Sequence, residues 1–260
     1  VKRERGMKVF GNRIVLKTKR NSPDLEFPLG SIIKRKARLC IKAFTKMMKE
    51  GIDYREKYAS TVRWNSIRIM LAIACYLNLD IILFDIKTFF LYGKLEEGYP
   101  KVYMEQLKGF EEIGKEDYVC EVHASIYGMP PAPALAQKEL KLALTGDDEM
   151  RPTNADDCVY TLQPKNTKAF AALGAHVDDL ATIANTEGAA RIRAALGKKF
   201  KYTEEMNPKI ITGVQIERNR EHRWLKLHQH DYTMSLLVKW QMTDCYAADT
   251  PMDPGVPKIP

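Results

Sequence analysis

No two cysteines in this 260-residue chain have C-x-x-C spacing; Cys40, Cys75, Cys120, Cys158 and Cys245 are scattered and odd in number. That pattern excludes a zinc knuckle and a disulfide-stapled scaffold. Long apolar runs are missing too. The longest within a helical stretch, residues 69–77, falls far short of the ~20 residues that a membrane span needs. The opening Val1-Lys2-Arg3-Glu4-Arg5 leads into more charge, with no apolar segment of the kind that begins a secretion signal. An intracellular protein with no membrane partner is therefore expected. There is no internal repeat or low-complexity tract. His222, His228 and His230 cluster, but without an acid or thiol at ligand spacing they read as a solvated edge.

Hydrophobic residues make up 45% of the chain, enough to bury a core in one large domain or two lobes. The net charge of +8 is unevenly placed: residues 1–50 hold 15 Lys and Arg against four acids. A basic N-terminal part on a near-neutral body is the footprint of a surface that tracks phosphates. Residues 12–20 alternate apolar and basic side chains as a half-exposed strand does. Asn21-Ser22-Pro23-Asp24 breaks the pattern. It resumes over residues 32–43, with Lys34, Lys36, Arg38 and Lys42 on one strand face. Two such strands predict a basic β-finger.

The period turns helical over residues 64–79, where Ile67, Met70, Leu71, Ala74 and Leu77 share a side and Ser60 or Thr61 stands near the N-cap. Residues 80–85 read as a buried strand ending in an acid, followed by a turn into a short helical segment. Further strands are expected at 99–105, 118–123 and 158–163. Helices are expected at 134–144 and at 187–200, the second with Ala190, Ile192, Ala195 and Leu196 inward, and Gly146-Asp147-Asp148-Glu149 as the solvated exit from the first. A strand pair at 210–217 and 223–227 precedes a helix over 231–240 with Asp231 as N-cap, then an irregular proline-rich tail. The fold class is α+β.

Ala175-His176-Val177-Asp178-Asp179 lies between two apolar runs, the pattern of a β-hairpin with acids at its tip. Asp suits a tight turn for its own sake. Equally, adjacent carboxylates repel and resist burial unless a cation compensates. Asp85 supplies a third acid at the end of another strand. Adjacent strands can gather the three, and Mg²⁺ favours a few carboxylates together with substrate phosphates. Two metals about 3.5–4 Å apart support phosphoryl transfer.

Over roughly residues 8–252 the chain resembles the reverse transcriptase domain of copia-type (Pseudoviridae) LTR retrotransposons. The pieces that carry the resemblance come in the family's order. They begin with Lys36-Ala37-Arg38-Leu39, Lys42-Ala43-Phe44-Thr45 and Gly51-Ile52-Asp53-Tyr54. Phe84-Asp85-Ile86-Lys87-Thr88-Phe89-Phe90-Leu91 follows, then Val102-Tyr103-Met104-Glu105-Gln106 with Gly109-Phe110, and Ser125-Ile126-Tyr127-Gly128. His176-Val177-Asp178-Asp179, Gly213-Val214-Gln215-Ile216-Glu217-Arg218 and Thr250-Pro251-Met252 complete the series.

The resemblance implies a right-hand polymerase fold, with fingers, palm and short thumb and an antiparallel palm sheet carrying the catalytic acids. Basic fingers would occupy residues 1–63. The palm with interleaved fingers would take 64–205, and primer-grip strands, a thumb-like helix and a linker 206–260. It implies an RNA-directed DNA polymerase with Asp85, Asp178 and Asp179 catalytic, and two Mg²⁺ ions, or Mn²⁺ in their place, at Asp85, Ile86 and Asp178. Lys36, Arg38, Phe90 and Ile86 would bind the nucleotide, Phe90 as the aromatic gate that excludes a ribose 2′-OH, while Thr212 and Gly213 belong to the primer grip. Implied partners are an RNA template, a primer-template, dNTPs and further polyprotein domains such as RNase H and integrase, in a cytoplasmic particle or the nucleus.

The chain departs from the family at several places. His176 stands where Tyr is usual, and Phe89 where a small residue is usual, a bulky ring beside the nucleotide pocket. Met129-Pro130-Pro131-Ala132-Pro133-Ala134-Leu135-Ala136 replaces Leu-Lys-Gln-Ala-Pro-Arg-Ala-Trp, with Pro131 in the place of the nucleotide-contacting Gln. Two prolines remove backbone donors and stiffen the approach to the helix. These departures raise a second reading: an exapted, catalytically impaired module that binds RNA or serves a ribonucleoprotein.

Overall fold

The computed structural model describes residues 1–20, 31–43, 48–95, 97–98, 100–146, 150–162 and 167–249. Its internal packing divides the chain into two units, residues 1–208 and 209–260. The first unit opens with β1 (Val9–Phe10), β2 (Asn12–Arg20) and β3 (Ile32–Ile41), then α1 (Trp64–Tyr76) and β4 (Asp80–Ile86). A one-turn 3-10 helix (Phe89–Tyr92), β5 (Val102–Glu105), β6 (Val119–Val122) and α2 (Ala132–Thr145) follow. The unit continues with β7 (Met150–Pro152), β8 (Val159–Leu162), β9 (Ala171–His176) and β10 (Asp179–Ala184). It closes with α3 (Thr186–Gly197) and β11 (Tyr202–Met206).

Six of these strands make one antiparallel sheet in the order β11-β4-β10-β9-β8-β7. β4 reads Asp-Ile-Ile-Leu-Phe-Asp-Ile, a nearly unbroken apolar run, because helices cover both faces of the strand. Ile82, Phe84, Ile86, Leu180 and Leu173 join Leu140 of α2 and Ile192 and Leu196 of α3 in one core. The alternate residues face α1, which buries Ile67, Met70, Leu71 and Ala74 at helical spacing. Gly174 belongs to that side: a Cβ there would sit 3.0 Å from Val62.

β2 and β3 pair as a separate ribbon, and β1, β5 and β6 form a three-stranded sheet. A second core gathers Phe10, Ile41, Met48, Tyr54, Val102, Met104 and Met129, and Phe90 packs against both cores. The second unit is a small sheet of β12 (Ile210–Ile211), β13 (Val214–Asn219) and β14 (Trp224–His228), followed by α4 (His230–Lys239). Among the described residues, no helix is long and apolar enough to cross a membrane.

Several expectations change. The N-cap of α1 is Arg63 and not Ser60 or Thr61, and α1 ends at Tyr76, leaving Leu77 half-exposed at its C-cap. In α3 the inward residues are Gly188, Ala189, Ile192 and Leu196, while Ala190 is exposed. Gln229, not Asp231, caps α4; the Asp231 amide instead donates to Gln215 Oε1 at 2.8 Å. β11 lies where no strand was expected. Lys42 falls just past β3. Asn21-Ser22-Pro23-Asp24, Asp147-Asp148-Glu149, Tyr99, Gln163 and the tail from Thr250 lie outside the described residues.

Candidate active site

The sheet brings the expected acids together by register. Asp179 in β10 pairs with Asp85 in β4 on one side and with His176 in β9 on the other. Paired residues project to the same face, so His176, Asp179 and Asp85 form a row on the face that α1 shares. Asp178 lies in the two-residue turn between β9 and β10, and its carbonyl accepts a hydrogen bond from the Ile86 amide at 2.9 Å. Val177, the first central residue of that turn, has φ +58°. Turns of this length favour Gly or Asn where φ is positive, and a β-branched residue there is strained, a cost that clusters at functional sites.

Asp85 and Asp178 are exposed, whereas Asp179 is half-buried. Burial pushes the Asp179 carboxyl above its ordinary value; the charges of Asp178 and Asp85 push it further, and His176 pulls the other way. The row thus carries more negative charge than its own neighbours neutralise, and a divalent cation fits that donor set. Ile86 is buried and apolar, which leaves its backbone carbonyl as the only donor it can offer a metal. Among the described residues, the three ligand-type side chains whose donor atoms all lie within 4.8 Å are Asp156, Asp157 and Cys158; the hairpin acids are more widely spread. Both Asp156 oxygens there are already taken by protein donors. Burial pushes the Cys158 thiol up to about 11, so it stays protonated.

The ribbon register places Arg13, Lys17 and Lys19 of β2 on the same face as Lys34, Lys36 and Arg38 of β3. Lys17 stands opposite Lys36, and Lys19 opposite Lys34. Like charges directly opposed weaken a strand pair, so this face suits an anionic partner. At its inner end, the Arg38 guanidinium lies 5.5 Å from the centroid of the Tyr127 ring. Tyr127 meets Phe90 edge-on, centroids 5.7 Å apart at 88°, and Ser125 Oγ donates to the Phe90 carbonyl. The Ile41 amide donates to the Tyr127 carbonyl at 2.8 Å. Gly128, at φ +90°, lets the Ile41 carbonyl press against its backbone, where a Cβ would clash. One connected path runs from the cationic face through Tyr127 to Phe90. In the sequence Tyr127 is only one residue of the Ser125–Gly128 motif; its link between Arg38 and Phe90 comes from the fold.

The remaining positions fall as follows. Phe89 is 3% exposed and packs near Phe90 and Phe200, so it is core and does not project into an open pocket. Pro131 is the N-cap residue of α2 and lines a cavity of about 880 Å³ together with Tyr54, Tyr58, Gln137 and Tyr160. That cavity touches none of the three acids. Thr212 and Gly213 form the β12–β13 turn, with φ +46° and +81°, within the second unit. His228 Nε2 contacts Glu217 Oε1 at 2.9 Å, an acid that the fold, and not the spacing in sequence, brings beside the histidines.

Comparison with known families matches residues 1–254 to the model described as Reverse transcriptase (RNA-dependent DNA polymerase). The chain belongs to the reverse transcriptase family. The "Retrovirus-related Pol polyprotein from transposon TNT 1-94" of Nicotiana tabacum is 33% identical over 222 residues, 85% of this chain and 16% of that protein. The corresponding polyprotein from transposon RE2 of Arabidopsis thaliana is 30% identical over 224 residues, 86% of this chain and 15% of that relative. The reverse transcriptase domain thus spans about one sixth of the curated relatives' length.

Proposed function

We propose that this reverse transcriptase domain is an RNA-directed DNA polymerase with its catalytic centre on the β4–β10 strand pair. The observation that carries the proposal is the Asp85–Asp179 register beside the Asp178 turn. On this reading residues 1–63 act as fingers, 64–205 as palm with interleaved fingers, and 206–260 as primer grip and thumb-like helix. The primer 3′-oxygen bonds to the α-phosphorus of a dNTP, and the bond to the β-phosphate breaks with loss of pyrophosphate. Asp85, Asp178 and the Ile86 carbonyl would hold Mg²⁺ or Mn²⁺, which when bound lowers the hydroxyl's pKa and neutralises charge on the leaving oxygen. Asp179 keeps the field at the turn negative. Lys36 and Arg38 neutralise the triphosphate, as point charge and planar fork respectively. Phe90, fixed edge-on by Tyr127, walls off the sugar where a 2′-OH would sit.

Primer extension on an RNA template with Mg²⁺ or Mn²⁺ tests this. Asp178→Asn is expected to reduce extension by about 10²–10³-fold, the scale of losing preorganised electrostatic stabilisation. Activity that survives this change sinks the assignment. The prolines at the start of α2 favour a second reading, an RNA-binding module without synthesis; salt-sensitive RNA binding with no incorporation in the unmodified protein supports it instead.

A further inference from the structure

We propose that Asp156 is a positioning residue for the Val177-Asp178 turn, acting through α1 and Ala175. Asp156 lies in the β7–β8 connection and is 5% exposed. Its Oδ2 accepts from the Arg63 amide at 2.9 Å and from Ser66 Oγ at 2.6 Å; its Oδ1 accepts from the Cys158 amide at 3.1 Å. Arg63 is the N-cap of α1 and makes no side-chain cap of its own. Asp156 therefore caps α1 from another strand pair, with its negative charge at the positive end of the helix.

The two backbone segments it holds both end on one residue. The Val62 amide donates to the Ala175 carbonyl at 2.8 Å, and the Ala175 amide donates to the Cys158 carbonyl at 2.9 Å. Ala175 precedes the strained turn by two residues. Gln137 braces the same place, accepting from the Ser60 amide and donating to the Ser60 carbonyl and to Cys158 Sγ. Every hydrogen bond that this buried carboxylate accepts comes from a backbone amide or a hydroxyl of the fold itself. Its geometry instead fixes where β9 ends, and with it where Asp178 and Asp179 stand.

As a statement about catalysis this rests on the polymerase reading; as a statement about what holds the hairpin it does not. The test uses Asp156→Asn, with Ser66→Ala as the milder variant should the first fail to fold. Amide exchange at Val62 and Ala175 is expected to quicken about tenfold or more, the scale of one lost charge-assisted hydrogen bond. Amides joining β4 to β10 should keep their protection. In primer extension kcat is expected to fall about 100-fold, as small misplacements of reacting groups do, while KM for dNTP stays unchanged. Unchanged exchange at Val62 and Ala175, or equal acceleration across the sheet, overturns the proposal, as does a loosened hairpin with unaltered kcat. If the unmodified protein makes no template-dependent product, the polymerase reading falls and exchange alone decides this one.

Discussion

Asp179→Asn should make the protein more stable and less active. Asp179 faces Asp85 directly across an antiparallel pair, and opposed like charges there cost roughly 0.2–1 kcal/mol. Partial burial adds to that cost, while solvent screening of the exposed Asp85 and Asp178 limits it, so a gain of about 1 kcal/mol is expected. In a unit of this size, about 1 kcal/mol raises Tm by roughly 2–4 °C. The pH dependence follows from the raised carboxyl of Asp179, whose first cause is burial and whose second is the charge of Asp178. The folded chain holds this proton more tightly than the unfolded chain does. The penalty is therefore absent below the ordinary value near 3.8 and grows as pH rises through the higher folded value. Thermal melts of both proteins at pH 4 and pH 7 should give curves that separate only at the higher pH. Adding Mg²⁺ at pH 7 should lift Tm of the unmodified protein more than that of the variant. An Asn variant that melts lower at pH 7, or with the same advantage at pH 4, would falsify the claim of stored repulsion.

Three further outcomes follow from the same geometry. Gly128→Ala places a Cβ against the Ile41 carbonyl at φ +90°, so a loss of about 1–3 kcal/mol is expected; an unchanged melting temperature would show that the turn relaxes freely. Lys36→Glu reverses one charge on the cationic ribbon face, and the slope of log affinity for RNA against log salt should shrink by about 1–2; anisotropy titrations at several salt concentrations read this. Phe90→Ala removes the edge contact with Tyr127. It should raise ribonucleotide incorporation relative to dNTP and destabilise by about 2 kcal/mol, less than a fully buried Phe would; selectivity that does not move removes the gate role from Phe90.

The six-stranded sheet was legible where its chemistry is local. β4 announces itself by an apolar run, and the hairpin by two apolar stretches around adjacent acids. β11 was not legible, because Tyr202-Thr203-Glu204-Glu205-Met206 is polar at an edge and its strand character comes from pairing with β4. The cap of α1 was misplaced for a related reason. Ser60 and Thr61 are the local candidates, but the carboxylate that serves is Asp156, about ninety residues away. Phe89 was placed beside the nucleotide pocket by the resemblance, whereas the 3-10 turn over residues 89–92 carries it into the core. Periodicity reports which side of an element is apolar; it is silent on which distant group completes it.

The two-residue turn at Val177 and Asp178 has one more consequence. With His176 paired to Asp179 and Asp179 paired to Asp85, β10 has no slack between its neighbours. Strand side chains alternate, so a shift of β10 by one residue would swing Asp179 toward α2 and α3 and expel Leu180 from the core. The position of the acids is thus stored as a parity, the even count of residues between His176 and its partner Asp179. Point substitutions in the turn leave that count intact, while the gain or loss of a single residue inverts it.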